Sequence, residues 1–392
     1  MTSNDPARIL QPDIHHRRVK VRRAVRQPRA IDMKKKVLVV GGHGAVGRAN
    51  IEYLTGFADI EIVALSRRPA AYPARAQFLS ADLTDAHSVR NALAGHSDIT
   101  HVIFAALHEQ AGALVSGWTE SDHVRVNLAM LNNLLDCVET VAPSAFRHLA
   151  LMHGGKAYGV HLGPPPRVPS RERDPRTMPP NFYFDQEDAL RERQRGKAWT
   201  YTIFRPPAVC GFSVGTPMNT LLVVGLFAAV SRELGLPLRF PGAVGHLKDL
   251  CDAELLAKAV HWAGDSDAAA NETFNISNGD VFLWEQIFPR IAKVFGMESD
   301  FPHPMPLGRV MADKAPVWDR IVAKHRLEPY SYTQLVASWE YADFTFRHRQ
   351  TPYESVLSTI KARQAGFHDC VDTEDMFVRQ LTELQRRKIL PP

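Results

Sequence analysis

Hydrophobic residues form two kinds of run, which alternate along the chain from about residue 36 to residue 205. Short apolar runs rich in β-branched residues are typical of strands buried in a parallel sheet. They occur at residues 36–40, 60–65, 76–83, 99–106, 146–152 and 199–205. Between them apolar positions recur at helical spacing, as in residues 120–140 at Val124, Leu128, Leu131, Leu135 and Val138. The alternation predicts an α/β fold with a Rossmann-type, doubly wound parallel sheet.

The pattern changes after residue 210. Residues 217–236, 253–264 and 284–295 have the periodicity of helices, and most of the remaining chain is also predicted to be helical. A short strand near 272–277 enters a turn and is expected to rejoin the main sheet. We therefore predict a sheet domain at 33–210 and a smaller, mainly helical substrate lobe at 211–392.

The net charge of +5 is concentrated at the N-terminus. Residues 1–32 hold eight basic and three acidic side chains, and the rest of the chain carries equal numbers of both. A nucleic-acid-binding protein would need a basic folded face, so no nucleic-acid partner is predicted. We interpret the basic tail as disordered. An anionic partner, a targeting role and a true start at Met33 remain open for it.

Cysteine spacing and the lengths of the apolar runs indicate where in the cell the protein is expected. The four cysteines, at 137, 210, 251 and 370, form no Cys-x-x-Cys pair, and no His/Cys cluster has metal-site spacing. The tail lacks the apolar core of a secretory signal, and the longest apolar candidate, residues 221–230, is too short to span a bilayer. We expect a cytoplasmic protein with no membrane partner and no metal. A homodimer is a candidate assembly.

The first apolar run leads directly into a glycine-rich turn. Gly41, Gly44 and Gly47 follow it, and an apolar helix pattern comes next. In a dinucleotide site the first glycine permits a sharp turn, the second lets the backbone approach a pyrophosphate, and the third lets the helix pack closely. The helix N-terminus adds free N–H groups and a partial positive charge. The order of strand, turn and helix predicts a dinucleotide-binding domain.

The end of the second strand indicates which dinucleotide is bound. An acid there would bind the ribose 2′-hydroxyl of NAD, whereas an arginine accommodates the 2′-phosphate of NADP. This chain has Arg67 and Arg68 at that place, and two guanidinium groups can hold a phosphate through charge-assisted hydrogen bonds. The predicted cofactor is NADPH. After the third strand, Asp82 could bind adenine or cap the helix that starts near Asp85.

A tyrosine near the nicotinamide would suggest hydride transfer assisted by a phenol. Short-chain dehydrogenases usually carry Tyr-x-x-x-Lys, but no tyrosine here is followed by lysine four residues later. The sequence therefore excludes the ordinary member of that superfamily. The alternative arrangement takes the lysine from the loop after the fifth strand and the tyrosine from the next helix.

Five sequence blocks carry a resemblance to one group of proteins. They are Gly-Lys-Ala-Tyr at 155–158, Asn-Phe-Tyr-Phe-Asp-Gln-Glu-Asp at 181–188, Phe-Arg-Pro-Pro-Ala-Val-Cys-Gly-Phe at 204–212, Leu-Arg-Phe-Pro-Gly at 238–242 and Phe-Asn-Ile-Ser-Asn-Gly-Asp at 274–280. These blocks resemble the progesterone 5β-reductase/iridoid synthase group of extended short-chain dehydrogenases/reductases. The likeness covers most of the chain from about Lys35 onward.

The resemblance implies an NADPH-dependent oxidoreductase that adds hydride to the β-carbon of an enone or enal. It makes Tyr183 the catalytic tyrosine, whose phenol would stabilise the enolate. It makes Lys156 the catalytic lysine, which would favour the tyrosinate or orient the cofactor. The cofactor contacts that it implies are Gly44, Ala45, Val46, Arg67, Arg68, Asp82, Leu83, Ala106, Met152, Tyr183, Val209, Thr216, Pro217 and Met218.

The chain departs from this group at three places. Met152-His153-Gly154 replaces the usual Gln-Thr-Gly. Phe184 replaces a second tyrosine, and Thr216-Pro217-Met218 replaces Ser-Met-Met. The first two changes alter the polarity around the oxyanion and the nicotinamide, and so bear on which substrate is used.

The substrate predicted for the second lobe is a small hydrophobic enone. The apolar side chains expected to line its pocket are Phe212, Met218, Leu222 and Phe240. Two alternatives stay open from the sequence. One is a carbonyl reductase or epimerase on the same scaffold, and the other is a non-catalytic NADP-sensing protein.

Overall fold

The computed structural model describes residues 34–68, 72–109, 116–348 and 351–392. The basic tail, predicted to be disordered, lies outside these residues. In the described part, the strands are β1 Lys35–Val40, β2 Ile60–Ser66, β3 Gln77–Ser80, β4 His101–Phe104, β5 His148–Met152, β6 Thr200–Arg205, β7 Val209–Cys210, β8 Cys251–Asp252 and β9 Glu272–Asn275. The α-helices are α1 Ala45–Leu54, α2 Ala86–Leu93, α3 Ser121–Val141, α4 Phe182–Gln194, α5 Thr220–Glu233, α6 Ala253–Asp265, α7 Trp284–Val294, α8 Leu307–Val310, α9 Ala315–His325, α10 Tyr332–Leu335, α11 Glu340–Thr345, α12 Ile360–Gln364 and α13 Thr373–Arg386.

The main sheet is parallel and has seven strands in the order β3-β2-β1-β4-β5-β6-β9. The direction of winding reverses between β1 and β4. Because parallel strands end at the same edge, the residues that follow β1, β2, β4, β5 and β6 lie at that edge, around the reversal point where α/β sheets bind ligands. The structure confirms the predicted doubly wound fold.

Both faces of this sheet are covered, which explains why its strands read as continuous apolar runs. In β1, Leu38 and Val40 belong to a core with α2, α3 and α4. Val37 and Val39, which point the other way, belong to a core with α1, α6 and α12. Alternate residues of one strand thus fill two separate cores.

The mainly helical second lobe has a third core, formed largely by α5, α7, α9, α11 and α13. The long apolar run at 221–230 lies inside α5, whose residues 220–231 are all buried. Among the described residues, no helix is long and apolar enough to cross a membrane. The predicted boundary between the two domains at residue 210 stays a prediction. Helix α6 and strand β9 come after residue 210, yet α6 packs on the main sheet and β9 is its edge strand.

Local capping explains where two predicted elements differ from the observed ones. Helix α5 begins at Thr220 rather than at 217, because the Asn219 side chain accepts a hydrogen bond from the Leu222 amide at 3.0 Å. Strand β3 ends at Ser80. The Asp82 carboxylate then accepts hydrogen bonds from the amide and hydroxyl of Thr84, and these hydrogen bonds form the turn that follows. The cap of α2 is therefore Asp85, not Asp82.

Candidate active site

The turn between β1 and α1 has the backbone of a dinucleotide cradle. Gly41 has φ +87°, and a Cβ there would lie 2.7 Å from the Ala105 carbonyl oxygen, so only glycine fits. A Cβ on Gly47 would lie 2.3 Å from the Gly41 oxygen, which shows how tightly α1 packs against the turn. A Cβ on Gly44 would lie 3.5 Å from its nearest neighbour, the Gly41 oxygen, which is an ordinary contact distance. The first turn of α1 contains no acid, so its positive end is not neutralised there.

Arg67 and Arg68 follow β2 and are both exposed. Their backbone is fixed, because the Ser80 hydroxyl donates to the Arg67 carbonyl at 3.0 Å and a ring nitrogen of His43 lies 3.2 Å from the Arg68 carbonyl. The nearby Asp82 is held by Thr84, whose hydrogen bonds lower the pKa of its carboxyl. The strand end therefore offers two guanidinium groups and suits a phosphate.

These elements border one cleft of about 830 Å³, which is large enough for the nicotinamide ring of a dinucleotide and a small substrate. The predicted cofactor residues that line it are Gly41, Gly44, Ala45, Val46, Arg67, Arg68, Asp82, Leu83, Ala106, Met152, Tyr183, Val209, Thr216, Pro217 and Met218. Gly47 does not line the cleft; it packs beneath the turn. Among the described residues, no group of three or more His, Cys, Asp or Glu could hold a metal ion.

Lys156 and Tyr183 reach the cleft from different elements, and Asn181 connects them. Lys156 lies in the short 3₁₀ helix Gly155–Tyr158 after β5, and Tyr183 lies in the first turn of α4. Asn181 caps α4: its Oδ1 accepts from the Tyr183 amide at 3.1 Å, while its Nδ2 donates to the Lys156 carbonyl at 2.9 Å. One side chain therefore positions the backbones of both residues.

A buried ion pair holds the far side of α4 against β6. Glu187, one turn beyond Tyr183, is almost fully buried, and its carboxylate accepts from Arg205 at 3.0 Å. Arg191 also contacts Glu187, at 2.5 Å. Buried pairs of this kind mainly fix geometry, because their attraction largely offsets desolvation. The helix that carries Tyr183 is thus anchored at its cap and along its length.

Tyr183 lies in a water-poor environment. Its ring stacks on His153 with centroids 4.4 Å apart, and a Cβ on Gly154 would lie 3.2 Å from the phenol oxygen. Burial, with a smaller contribution from the negative charge of Glu109, raises the pKa of Tyr183. Burial also holds the pKa of His153 well below its usual value. At neutral pH the site therefore presents a protonated phenol beside an uncharged imidazole.

Lys156 is held by an acid and an aromatic ring that the sequence did not single out. Its Nζ lies 3.6 Å from Glu109 Oε1 and 4.3 Å from the centre of the Trp118 ring. The other oxygen of Glu109 accepts from Trp118 Nε1 at 3.0 Å. Burial lowers the pKa of Lys156 to about 8, and Glu109 opposes that effect. The one sequence signal for Glu109 was its place just after the fourth strand.

Asn127, a buried residue of α3, supports the segment that carries Glu109. Its side chain accepts from the His108 amide at 2.9 Å and donates to the His108 carbonyl at 3.1 Å. The same amide group donates to the His123 carbonyl, one turn earlier in α3. The position of Glu109 is therefore tied to the helix and not left to a free loop.

Three of the four apolar residues expected to line the substrate pocket do not reach it. Leu222 and Phe240 are buried in the core of the second lobe, because neighbouring helices cover them on every side. Phe212 packs against that core, with the guanidinium of Arg48 over its ring at 4.6 Å. Only Met218 of the four lines the cleft.

Comparison with known proteins shows which family has this architecture. The model of the NAD dependent epimerase/dehydratase family matches residues 37–277. An (S)-8-oxocitronellyl enol synthase from Antirrhinum majus is 31% identical over 90% of this chain and 92% of its own length. This protein belongs to the iridoid synthase-like family of extended short-chain dehydrogenases/reductases. The resemblance predicted from the sequence is thereby confirmed, and the chain is an enzyme of an NAD-dependent family.

Two further matches bear on the family and on the fold. The short chain dehydrogenase gsfE from Penicillium aethiopicum is 30% identical over 92% of this chain and its whole length. The UDP-glucose 4-epimerase of Thermus thermophilus, solved in complex with NAD, superposes with a TM-score of 0.62 at 20% identity, covering 89% of this chain and 99% of the epimerase. At that identity the epimerase supports the fold alone.

Proposed function

We propose that this protein is an NADPH-dependent reductase that adds hydride to the β-carbon of an enone or enal. The observation that carries the proposal is the convergence of Tyr183 and Lys156, held by Asn181, on the cleft that the glycine turn also borders. The members of the pair stand 27 residues apart in the chain, without the Tyr-x-x-x-Lys spacing. This separation favours the group that the sequence blocks resemble.

The side chains around the cleft have the properties that this reaction needs. NADPH, when bound, supplies the hydride. The Tyr183 phenol, protonated because of its burial, donates a hydrogen bond to the substrate carbonyl oxygen, where negative charge grows as the enolate forms. The Lys156 ammonium, 5.7 Å from the centre of the Tyr183 ring, adds a positive charge near that phenol. The His153 ring stacked on Tyr183 excludes water from one face of the phenol.

The names of the relatives are consistent with this reaction. Several are enol synthases, from Antirrhinum majus, Camptotheca acuminata and Nepeta. Addition of hydride to the β-carbon of an enal, followed by protonation on oxygen, yields an enol. A 1,4-reduction is therefore the chemistry that such a name suggests for this chain.

The direct test combines purified protein, NADPH and a panel of small enones and enals that includes 2-cyclohexenone. NADPH consumption and the product would both be measured. We expect a saturated carbonyl compound or its enol. An allylic alcohol would instead support a carbonyl reductase. Tight NADPH binding with no turnover on any substrate would support a sensing protein.

We expect the double variant Arg67→Ala/Arg68→Ala to bind NADPH about 10–100-fold more weakly, because each guanidinium that holds a 2′-phosphate contributes charge-assisted hydrogen bonds. NADH lacks that phosphate, so its affinity should hardly change. Fluorescence titration with both dinucleotides measures the difference. Arg90→Ala, which removes an exposed arginine of α2 outside the cleft, is the matched control. An equal loss of affinity for NADPH and NADH would contradict the proposed role of the two arginines in binding the 2′-phosphate.

A further inference from the structure

His153 is a cleft residue to which the proposed hydride transfer gives no part beyond excluding water. It follows β5 directly, at the sheet edge where the dinucleotide turn also lies. Its backbone amide donates to the Phe204 carbonyl of β6 at 2.8 Å, which fixes where the side chain starts. The residue lines the cleft, although only 6% of its surface is exposed. In the group that the sequence resembles, threonine is usual at this place.

The direction of the Tyr183 phenol depends on what packs against its ring. The Asn181 cap fixes the backbone of Tyr183, but the torsion that turns a tyrosine ring has a broad energy minimum. Among the residues that the structure describes, none makes a hydrogen bond with the Tyr183 hydroxyl. The orientation of the phenol therefore comes from contacts of the ring.

Two aromatic side chains pack on the Tyr183 ring. The His153 ring is nearly parallel to it, at an angle of 16° with centroids 4.4 Å apart. The Phe182 ring meets it edge-on, at 68° and 4.5 Å. Phe182 precedes Tyr183 in α4 and moves with it, whereas His153 belongs to the sheet. Of the two rings, His153 is therefore the one that can fix the phenol relative to the dinucleotide turn.

The His153 ring acts through its face and not as an acid. Neither ring nitrogen makes a well-formed hydrogen bond with another described residue. Burial, together with the positive charges of Arg205 and Arg176, holds the pKa of His153 well below its usual value, and Gln186 opposes this effect. At neutral pH the imidazole is therefore uncharged, and what it offers to Tyr183 is an aromatic surface.

We infer that His153 is a positioning residue, whose ring face directs the Tyr183 phenol toward the carbonyl oxygen of the substrate. This inference rests on the proposed reductase function and adds one residue to its machinery. A threonine has no ring to stack, so the contact distinguishes this chain from group members that carry threonine. Because a misplacement of about 1 Å can cost about 100-fold in rate, loss of the contact should be visible in kcat.

The first test compares His153→Thr, which removes the ring, with His153→Phe, which keeps an aromatic face. We expect kcat for enone reduction to fall about 10–100-fold in His153→Thr and to stay within about 3-fold of wild type in His153→Phe. The KM for the enone should change little in both, because the phenol acts mainly on the transition state.

His148→Thr is the matched control. This buried histidine begins the same strand, its Nδ1 lies 2.9 Å from the Thr200 hydroxyl oxygen, and it does not line the cleft. We expect His148→Thr to lower thermal stability and to leave kcat unchanged. A fall in kcat that follows stability alone would therefore appear in both histidine variants.

A double-variant cycle shows whether His153 acts through Tyr183. In a Tyr183→Phe background the phenol is absent, so His153→Thr should cause no further loss of kcat. A further loss of about 10-fold or more in that background would mean that His153 acts on the substrate or on the fold directly, and would overturn the inference. Wild-type kcat in His153→Thr would also overturn it and leave the reductase proposal standing. If thermal melting shows that His153→Phe does not fold, the cycle carries the test.

A measurement without substrate separates this inference from the reductase proposal. NMR spectra of protein with labelled tyrosine show the ring signals, and Tyr183→Phe identifies which of the nine tyrosines gives the Tyr183 signal. A stacked ring moves such signals to lower frequency. We expect this shift in the wild type and in His153→Phe, and its loss in His153→Thr. That result would support the contact even if no enone were reduced, in which case the reductase proposal alone would fail. An unchanged Tyr183 signal in His153→Thr would overturn the positioning role.

Discussion

Tyr183→Phe is expected to lower kcat for enone reduction by about 10²–10³-fold, because it removes the one phenol donor proposed for the oxyanion. The ring would remain stacked on His153, so the fold and the shape of the cleft should be kept. NADPH affinity should change little, since the loss falls on the transition state. Initial rates, together with a fluorescence titration of NADPH, would measure both quantities.

Tyr332→Phe is the matched control for this substitution. Tyr332 is also buried, burial likewise raises the pKa of its phenol, and its hydroxyl donates to the Met311 carbonyl at 2.8 Å. It lies in the second lobe, outside the cleft. We expect this variant to lose some thermal stability and to keep kcat. If Tyr183→Phe behaved in the same way, Tyr183 would be a structural tyrosine and the proposed oxyanion donor would be wrong.

The sheet domain was predictable because its signals are local. Each buried strand is a short apolar run, and within one strand-turn-helix unit Gly41 is required by its positive φ and Gly47 by its contact with the Gly41 oxygen. The short strand β9 was also expected to return to the sheet. The packing of the second lobe was not predictable in the same detail. In α5 nearly every residue is apolar, so periodicity could not show which neighbours would cover Leu222.

The candidate site shows the same division between local and distant signals. Lys156 and Tyr183 stand in distinctive sequence blocks, which identified them before their contact through Asn181 was known. Glu109 carries no such mark, since a single acid after a strand usually lies in solvent. Its role depends on Trp118 and on Asn127, which come from other segments.

Replacing Lys156 is expected to have the second large effect. In Lys156→Met, kcat/KM should fall by about 10²–10³-fold, since the buried ammonium, 5.7 Å from the centre of the Tyr183 ring, is proposed to stabilise the developing enolate. In the wild type, burial lowers the pKa of Lys156 to about 8. The charged form is the active one, so activity should be full below that pH and should fall as pH rises through it. Lys156→Met should lack this alkaline decline.

Glu109→Gln separates the charge of Lys156 from its position. The amide can still accept from Trp118 Nε1, so the side-chain arrangement should persist, but the carboxylate that favours the ammonium at 3.6 Å is gone. The alkaline decline should therefore move to lower pH, by about 1–2 pH units for an opposite charge this close. At low pH, where Lys156 is protonated in both proteins, the variant should approach wild-type activity. A variant that is equally impaired at every pH would mean that Glu109 acts by packing alone. A decline that moves to higher pH would contradict the sign of the interaction.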